Sequence, residues 1–381
     1  NARSLINIAE FPIFCANLIN EEGDYFCESP YYIYKFSDLK VGVIGVTYHP
    51  MAGMVNPSNL GDFYSVDPME TVKEIIPKID PITDLIIILS HLGYEADIEM
   101  ANEIQNVDVI VGGHSHTRLE EPEIVNGILI VQAGSKTTNL GRLDLTVAGD
   151  TIKDFSGMLI PTYAAKITPD STLNAMVNSF ELIIEEKYGE VIGQLSEDWI
   201  TRYREESNVG NYLTDALRKA IGADIAFINS GGIRKNIPAG EITLKDIAEV
   251  LPFMNYVVTF QSSGEDLLKI LKENARATAF ETHGTLQLSG VKYTWRIAGD
   301  DIEIVNAVVN NRPLKKDKIY TIATIDYVLL NNDRYMHIEP EEVKNTRILL
   351  SDMITDAIRK DRVIKPIRLN RPIRHLAIPG T

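Results

Sequence analysis

The chain has 381 residues, more than one ordinary core fills, and at roughly 150 residues per domain it divides into two or three domains. With 45% hydrophobic and 24% charged residues it has the composition of a folded protein and excludes disorder as a starting point. A formal net charge of -16 excludes a passive binder of nucleic acid polymers, since there is no basic surplus to release counterions; a bound phosphate must be held locally, by a metal, selected arginines or backbone amides.

From residue 36 to about 147, short apolar runs alternate with helical patterns. Val41–Val46, Asp84–Ser90, Val107–Val111 and Ile128–Val131 are rich in β-branched residues, are bounded by polar ones, and read as buried strands. Met69–Ile79 and Glu95–Gln105 fit the intervening helices, with Pro77 expected to limit the first. That alternation predicts a layered α/β sheet, in which ligands gather where strands end.

Ser171–Tyr188 reads as one helix between Pro-containing loops, either a connector between two bodies or a helix packed within one of them. A second α/β region follows. Ser207–Ile221 places Val209, Leu213, Ala216, Leu217, Ala220 and Ile221 on one helical face, and Asp224–Asn229 follows as a strand. Thr243–Leu251 and Gly264–Ala277 are further helices; Val257–Gln261, Val291–Trp295, Ile302–Val309 and Ile319–Ile325 are strands. Arg362–Thr381, rich in Pro and Arg, reads as an irregular tail, partly docked. The domain expectation is a first body over 1–165, a linker helix over 166–192 and a second body over 193–381.

No apolar run approaches the ~20 residues that span a bilayer, so no membrane span is expected. The only cysteines are Cys15 and Cys27, which either close one bridge in an exported protein or remain two buried thiols.

Histidine is the most informative residue type, because three of the seven sit at expected strand ends. Ser90-His91-Leu92-Gly93 closes one strand and Gly112-Gly113-His114-Ser115-His116-Thr117 the next. The paired glycines are expected to permit a tight turn that brings the imidazoles to one place. Imidazole suits zinc, manganese or iron, and strand-end loops hold it rigidly; the alternative is a set of ordinary structural histidines. In the second region, Asn229-Ser-Gly-Gly-Ile-Arg234 puts glycines after a strand, where the backbone can approach a ligand, and an arginine that can fork onto phosphate or carboxylate. Its alternative is a plain loop with a solvated arginine.

These motifs, with Ile128-Leu-Ile-Val-Gln-Ala-Gly-Ser135 and Leu140-Gly-Arg-Leu-Asp144, resemble the later motifs of the calcineurin-like phosphoesterase domain of 5′-nucleotidases and UDP-sugar hydrolases. Glu206-Ser-Asn-Val-Gly-Asn-Tyr-Leu-Thr-Asp-Ala216, Asn229–Arg234 and Val250-Leu-Pro-Phe253 look like the C-terminal nucleotide-binding domain of the same family. The resemblance implies an α/β (α+β) chain: an incomplete calcineurin-like β-sandwich metallophosphoesterase domain followed by a mixed α/β 5′-nucleotidase C-terminal domain. It implies that His91 and His114 ligate one ion of a dinuclear site of two divalent cations (Zn, Mn or similar), and His116 the other. Asn229, Gly232 and Arg234 then contact the nucleotide, and Phe253 and Tyr327 are the rings that sandwich the base. Asp333 is the ribose-binding carboxylate, and Arg204, or Arg202 beside it, is a further phosphate contact. Phe253 in an apolar Leu-Pro-Phe run is otherwise core.

Two departures qualify that picture. Asn331-Asn332 stands where the family usually has glycines before the Asp, which narrows the expected ribose pocket. The family's Asp-x-His, Gly-Asp and Gly-Asn-His motifs, which carry the bridging carboxylate, the other ligands and a His-Asp dyad, have no counterpart in residues 1–35; an upstream portion of the same protein is expected to supply them. On this chain alone the expectation is no catalytic dyad, an incomplete metal site and no turnover. The expected activity of the whole is hydrolysis of nucleoside 5′-monophosphates to nucleoside and phosphate, with UDP-sugar or 2′,3′-cyclic nucleotide hydrolysis as the near rival and an inactive nucleotide-binding protein as the distant one. Resemblance further implies a periplasmic, cell-surface or secreted location.

Overall fold

The computed structural model describes residues 2–51, 55, 60–163, 167–365 and 367–374, and divides into two compact units, 1–169 and 170–381. In the first, β1 (Tyr31–Phe36), β2 (Leu39–Thr47), β3 (Leu85–His91), β4 (Val109–Val111), β5 (Glu123–Val125) and β6 (Ile128–Val131) form one sheet in the order β1-β2-β3-β4-β6-β5. The four central strands run parallel, in register Val43 with Ile87, Ile87 with Val109, and Val109 with Leu129. The helices between them are α1 (Pro68–Ile79) and α2 (Tyr94–Glu103). Asp67 caps α1 by accepting from the Glu70 amide, and Pro68 occupies the first turn, where its missing N–H costs nothing. The helix ends at Ile79, the expected bound, with Pro77 inside its last turn.

Period-2 alternation sorts each central strand. Ile44, Ile86, Ile88, Ile110 and Ile130 pack with Val72, Ile75 and Ile79 of α1 and Met100 and Ala101 of α2 in one core. Val41, Val43 and Leu85 point the other way, onto Leu145, Val147 and Ile152. Those belong to a hairpin, β7 (Asn139–Val147) and β8 (Ile152–Pro161), paired antiparallel from Ile152 opposite Val147 to Pro161 opposite Asn139. Towards the strand ends that second face opens to solvent, with Leu89 43% and Val111 38% exposed.

The second unit begins with α3 (Ser171–Tyr188), capped by Asp170, which buries none of its side chains. The unit is built on β9 (Val191–Leu195), α4 (Asn208–Ile221), β10 (Ile225–Asn229), β11 (Gly240–Thr243), α5 (Leu244–Val250), β12 (Tyr256–Ser263), α6 (Gly264–Phe280), β13 (Leu286–Ser289), β14 (Val291–Ala298), β15 (Asp301–Val309) and β16 (Ile319–Ile325). It closes with α7 (Asp326–Leu330), α8 (Asn332–Tyr335), β17 (Glu341–Leu349), α9 (Leu350–Asp361), β18 (Val363–Ile364) and β19 (Pro372–Arg374). A central sheet runs β13-β10-β16-β12-β17, with β10 parallel to β16 and the other pairs antiparallel. Strand β10 is buried along its whole length, so its end, Asn229, is placed with little freedom.

Helix α4 starts at a Ser207 cap and ends on Gly222 at φ 73, the left-handed position that favours glycine. Its expected apolar face holds for Val209, Leu213, Ala216 and Leu217, whereas Ala220 is exposed. The C-terminal stretch is more than a loose tail. Strands β18 and β19 pair in parallel with β9 and β14, and Arg371 is buried beneath them. The Arg371 guanidinium donates to Thr214 Oγ1 at 3.1 Å and to the Leu288 carbonyl, and pairs with Asp215 at 2.6 Å. Residues 375–381 lie outside the described residues.

Candidate functional site

Parallel pairing of β3 with β4 puts the two histidine-bearing strand ends side by side. The His91 and His114 rings meet edge to face, with centroids 5.2 Å apart, and the Tyr48 ring, following β2, lies tilted against His114 with centroids 4.7 Å apart. The turn that achieves this is not the expected glycine turn. His114 and His116 themselves hold left-handed φ values of 67° and 60°, while Gly112 and Gly113 do not. What the glycines supply is closeness. A Cβ on Gly112 would lie 2.5 Å from Asp97 Oδ2, and one on Gly113 would lie 3.0 Å from His91 Nδ1. Side chains tie the turn down: Ser115 Oγ accepts from the Tyr94 amide at 3.0 Å, contacts Thr117 Oγ1 at 2.9 Å and donates to Gln132 Oε1 at 3.2 Å.

Asp97 is absent from the sequence-based expectations. It is 0% exposed; one oxygen accepts the Ser90 hydroxyl hydrogen bond, and the other, Oδ2, has no partner. Burial pushes its carboxyl up to about 6, with the Ser90 bond pulling the other way. A signal was available, because Asp97 shares the buried face of α2 with Met100 and Ala101 at the i, i+3, i+4 spacing of an apolar stripe.

For divalent ions, the donor chemistry fits and the donor count does not. Two imidazoles converge, His116 follows two residues on and is exposed, and among the described residues no group of three His, Cys, Asp or Glu could hold a metal. A closed tetrahedral site takes four ligands and a catalytic one about three. Cys15 and Cys27 are free thiols, and desolvation raises the pKa of both.

In the second unit, Asn229 at the end of β10 is 4% exposed, and its Oδ1 has no hydrogen-bond partner. The chain then makes a tight turn, Ser230–Gly232, over that amide. A Cβ on Gly232 would fall 3.2 Å from Asn229 Oδ1, so the turn packs tightly on that amide. Arg234 folds back, Nη1 donating to the Gly231 carbonyl at 3.3 Å, with its guanidinium carbon 6.0 Å from the Phe253 ring centre. Phe253 is 49% exposed rather than core.

Tyr327 lies on α7, with its ring 6.4 Å from that of Tyr335, and Asp333 lies on α8 beside the Asn332, His337 and Glu339 side chains of a 730 Å³ cavity. Arg204 is engaged by Glu281 at 2.5 Å, and Arg202 by Glu205 at 2.5 Å. The structure therefore brings Asn229, Gly232, Arg234 and Phe253 together around one turn, and holds Arg204 in an ion pair.

The family of 5′-nucleotidase C-terminal domains matches residues 191–340. An uncharacterised metallophosphoesterase, YunD of Bacillus subtilis, is 28% identical over 348 residues, covering 86% of this chain and 73% of that protein. A 5′-nucleotidase of Vibrio cholerae is 28% identical over 417 residues, covering 95% and 74%. The crystal structure of a 5′-nucleotidase precursor from Thermus thermophilus superposes with a TM-score of 0.83 at 25% identity, covering 97% of this chain and 80% of that one. With the sheet, the histidine turns and the Asn229–Arg234 turn as described, residues 191–340 match the 5′-nucleotidase C-terminal domain, and the chain as a whole is similar in sequence and fold to 5′-nucleotidases.

Proposed function

We propose that this protein takes part in the metal-dependent hydrolysis of nucleoside 5′-monophosphates to nucleoside and phosphate. The observation that carries this reading is the Asn229–Gly232–Arg234–Phe253 grouping: a buried amide, a backbone without Cβ atoms, a cation and an open aromatic face around one turn. A nucleoside needs a flat surface for its base, and one stack contributes on the order of 1 to 3 kcal/mol. Tyr327 would take the other face of the base, Asp333 the ribose, and Arg234 and Arg204 the phosphate. Divalent ions, when bound, would supply positive charge to the phosphoryl oxygens. His91 and His114 would ligate one ion and His116 a second. No helix among the described residues is long and apolar enough to cross a membrane, and export to the periplasm, cell surface or medium fits this activity.

A second reading, a nucleotide-binding protein without turnover, is favoured by the lack of a three-ligand group among the described residues. Two measurements separate the readings: calorimetric titration of this chain with adenosine, and phosphate release from AMP, UDP-glucose and 2′,3′-cyclic AMP with and without manganese or zinc. The release assay is run on this chain and on the polypeptide extended upstream. Metal-dependent release from AMP by the extended form supports the first reading; binding without release by either form supports the second. No adenosine binding at all sinks both.

A further inference from the structure

Between the turn that carries Arg234 and the helices that carry Tyr327 and Asp333 lies a residue with no assigned role, Tyr203. Its backbone is fixed from two directions: the Tyr203 carbonyl accepts from the Ser230 hydroxyl at 2.5 Å and from the Thr285 amide at 3.0 Å. Its ring rests on two glycines that have no side chain to push it away. A Cβ on Gly231 would lie 3.3 Å from Tyr203 Cε2, and one on Gly284 only 2.6 Å from the same atom. The rest of the ring is open, the residue being 52% exposed. An aromatic ring with one flank on glycine backbone and the other in solvent presents a preformed flat surface at low entropic cost.

The contacts on either side make Tyr203 the middle of an arc. In one direction Gly231 gives its carbonyl to Arg234, whose guanidinium faces Phe253. In the other, Gly284 accepts from His283 Nδ1 at 2.8 Å, the His283 ring meets Tyr335 edge to face at 5.2 Å, and Tyr335 neighbours Tyr327. Three buried polar atoms without partners surround the same knot: Asn229 Oδ1, Thr285 Oγ1 and Arg204 Nε. A buried polar atom without a hydrogen-bond partner is costly unless something satisfies it. All three belong to residues that bond Tyr203, adjoin it or share its glycine partner, where they can meet the polar edges of a ligand.

We propose that Tyr203 is a ligand-binding residue of the second unit, its open ring flank contacting the nucleoside held between Phe253 and Tyr327. This rests on the nucleoside reading above. The ring rather than the hydroxyl makes the contact, so Tyr203→Phe keeps affinity for adenosine within about threefold, whereas Tyr203→Ala and Tyr203→Leu weaken it about tenfold or more, the range expected for loss of one stack. Gly284→Ala weakens binding too, because its Cβ must displace the ring.

Calorimetric titration with adenosine, with thermal melts as the folding control, decides the matter, and Phe253→Ala serves as the reference for the site. Should Tyr203→Ala fail to fold, Tyr203→Trp gives the same answer optically. Its half-exposed indole changes emission on adenosine saturation, against a background from Trp199 and Trp295, which are buried. Wild-type affinity in Tyr203→Ala, or unchanged emission in Tyr203→Trp at saturation, while Phe253→Ala loses binding, overturns the role of Tyr203 and leaves the nucleoside site standing. Absence of adenosine binding by the wild-type chain overturns both.

Discussion

The hydroxyl of Ser90, one residue ahead of His91, donates to the carboxylate of Asp97, whose second oxygen lies against Gly112 two residues ahead of His114. A single buried carboxylate thus sits beneath both histidine-bearing strand ends. With Asp97 pushed up to about 6 from 3.8, the fold favours its protonated form more than the unfolded chain does. The sign follows directly: this group's contribution to stability is best below about pH 4 and is lost as pH rises through about 6. Fully ionised, it costs on the order of 3 kcal/mol.

Asp97→Asn removes that cost while keeping an acceptor for Ser90, and its new amide can donate towards Gln132 Oε1, which lies on the same side of Gly112. The metal-free variant should gain roughly 1 to 2 kcal/mol at pH 7.5 and nothing at pH 4. Urea unfolding midpoints across that interval measure it. A variant less stable than wild type at pH 7.5 contradicts the argument.

Gly112→Ala tests the closeness directly. Its Cβ would stand 2.5 Å from Asp97 Oδ2, so either the carboxylate or the His114 turn must move. Overpacking of a tight core costs about 1 to 3 kcal/mol. Combining the change with Asp97→Ala, which clears the space, should restore much of the loss; simple additivity of the two losses would show that the clash lies elsewhere.

How far the site can be read from the sequence follows from what each residue answers to. Strand-end histidines were legible because short β-branched runs fix where β3 and β4 stop, within a residue or two. The turn between them was misjudged. Glycine normally announces a positive φ, but here His114 and His116 take it, and the glycines answer to a carboxylate that arrives from α2. Asp97 reads as one more surface acid unless the burial of its helix face is known. The hairpin β7–β8 and helix α9 went unread although Leu143, Leu145 and Val147 alternate and Leu350, Met353, Ile354 and Ile358 keep helical spacing, so the pattern was in the sequence. Tyr203 was invisible for another reason: its two glycine partners lie far along the chain, and only the fold brings them under the ring.

Arg371 offers a test of the closing segment. Its guanidinium satisfies Thr214, the Leu288 carbonyl and Asp215 at once, joining β19's approach to α4 and β13. Arg371→Met keeps the apolar stem and strips the donors. Because the Asp215 side chain is 45% exposed and can be rehydrated, the loss should come mainly from the buried acceptors, about 2 to 4 kcal/mol. Guanidinium unfolding followed at Trp295, in the strand β14 that pairs with β19, reports it. A change under about 0.5 kcal/mol, the level of an ordinary surface substitution, would mean the segment is not held by this residue.

Cys15 should be chemically silent. Burial pushes its thiol up to about 11, leaving on the order of 0.1% thiolate at pH 8, and the thiolate is the reactive form. Native protein should react with an aromatic disulfide reagent at Cys15 far more slowly than protein in urea. Comparable rates would mean that the segment carrying Cys15 opens readily.

The ion pair of Arg204 with Glu281 sets up the last expectation. Arg204 can reach a phosphate only by leaving Glu281, a 2.5 Å contact at the end of α6, and the Arg204 side chain is 42% exposed. Partly exposed pairs of this kind contribute about 0 to 1 kcal/mol, so the carboxylate is a weak competitor that a dianionic phosphate can displace. Glu281→Gln weakens that competitor and should tighten binding of AMP a few-fold while leaving adenosine, which lacks phosphate, unchanged. Arg204→Ala should do the reverse, costing AMP and sparing adenosine. Calorimetry with the two ligands on the three proteins distinguishes a phosphate-binding arginine from a structural one. If both variants shift adenosine and AMP equally, Arg204 acts only on the fold around Tyr203 and not on the phosphate.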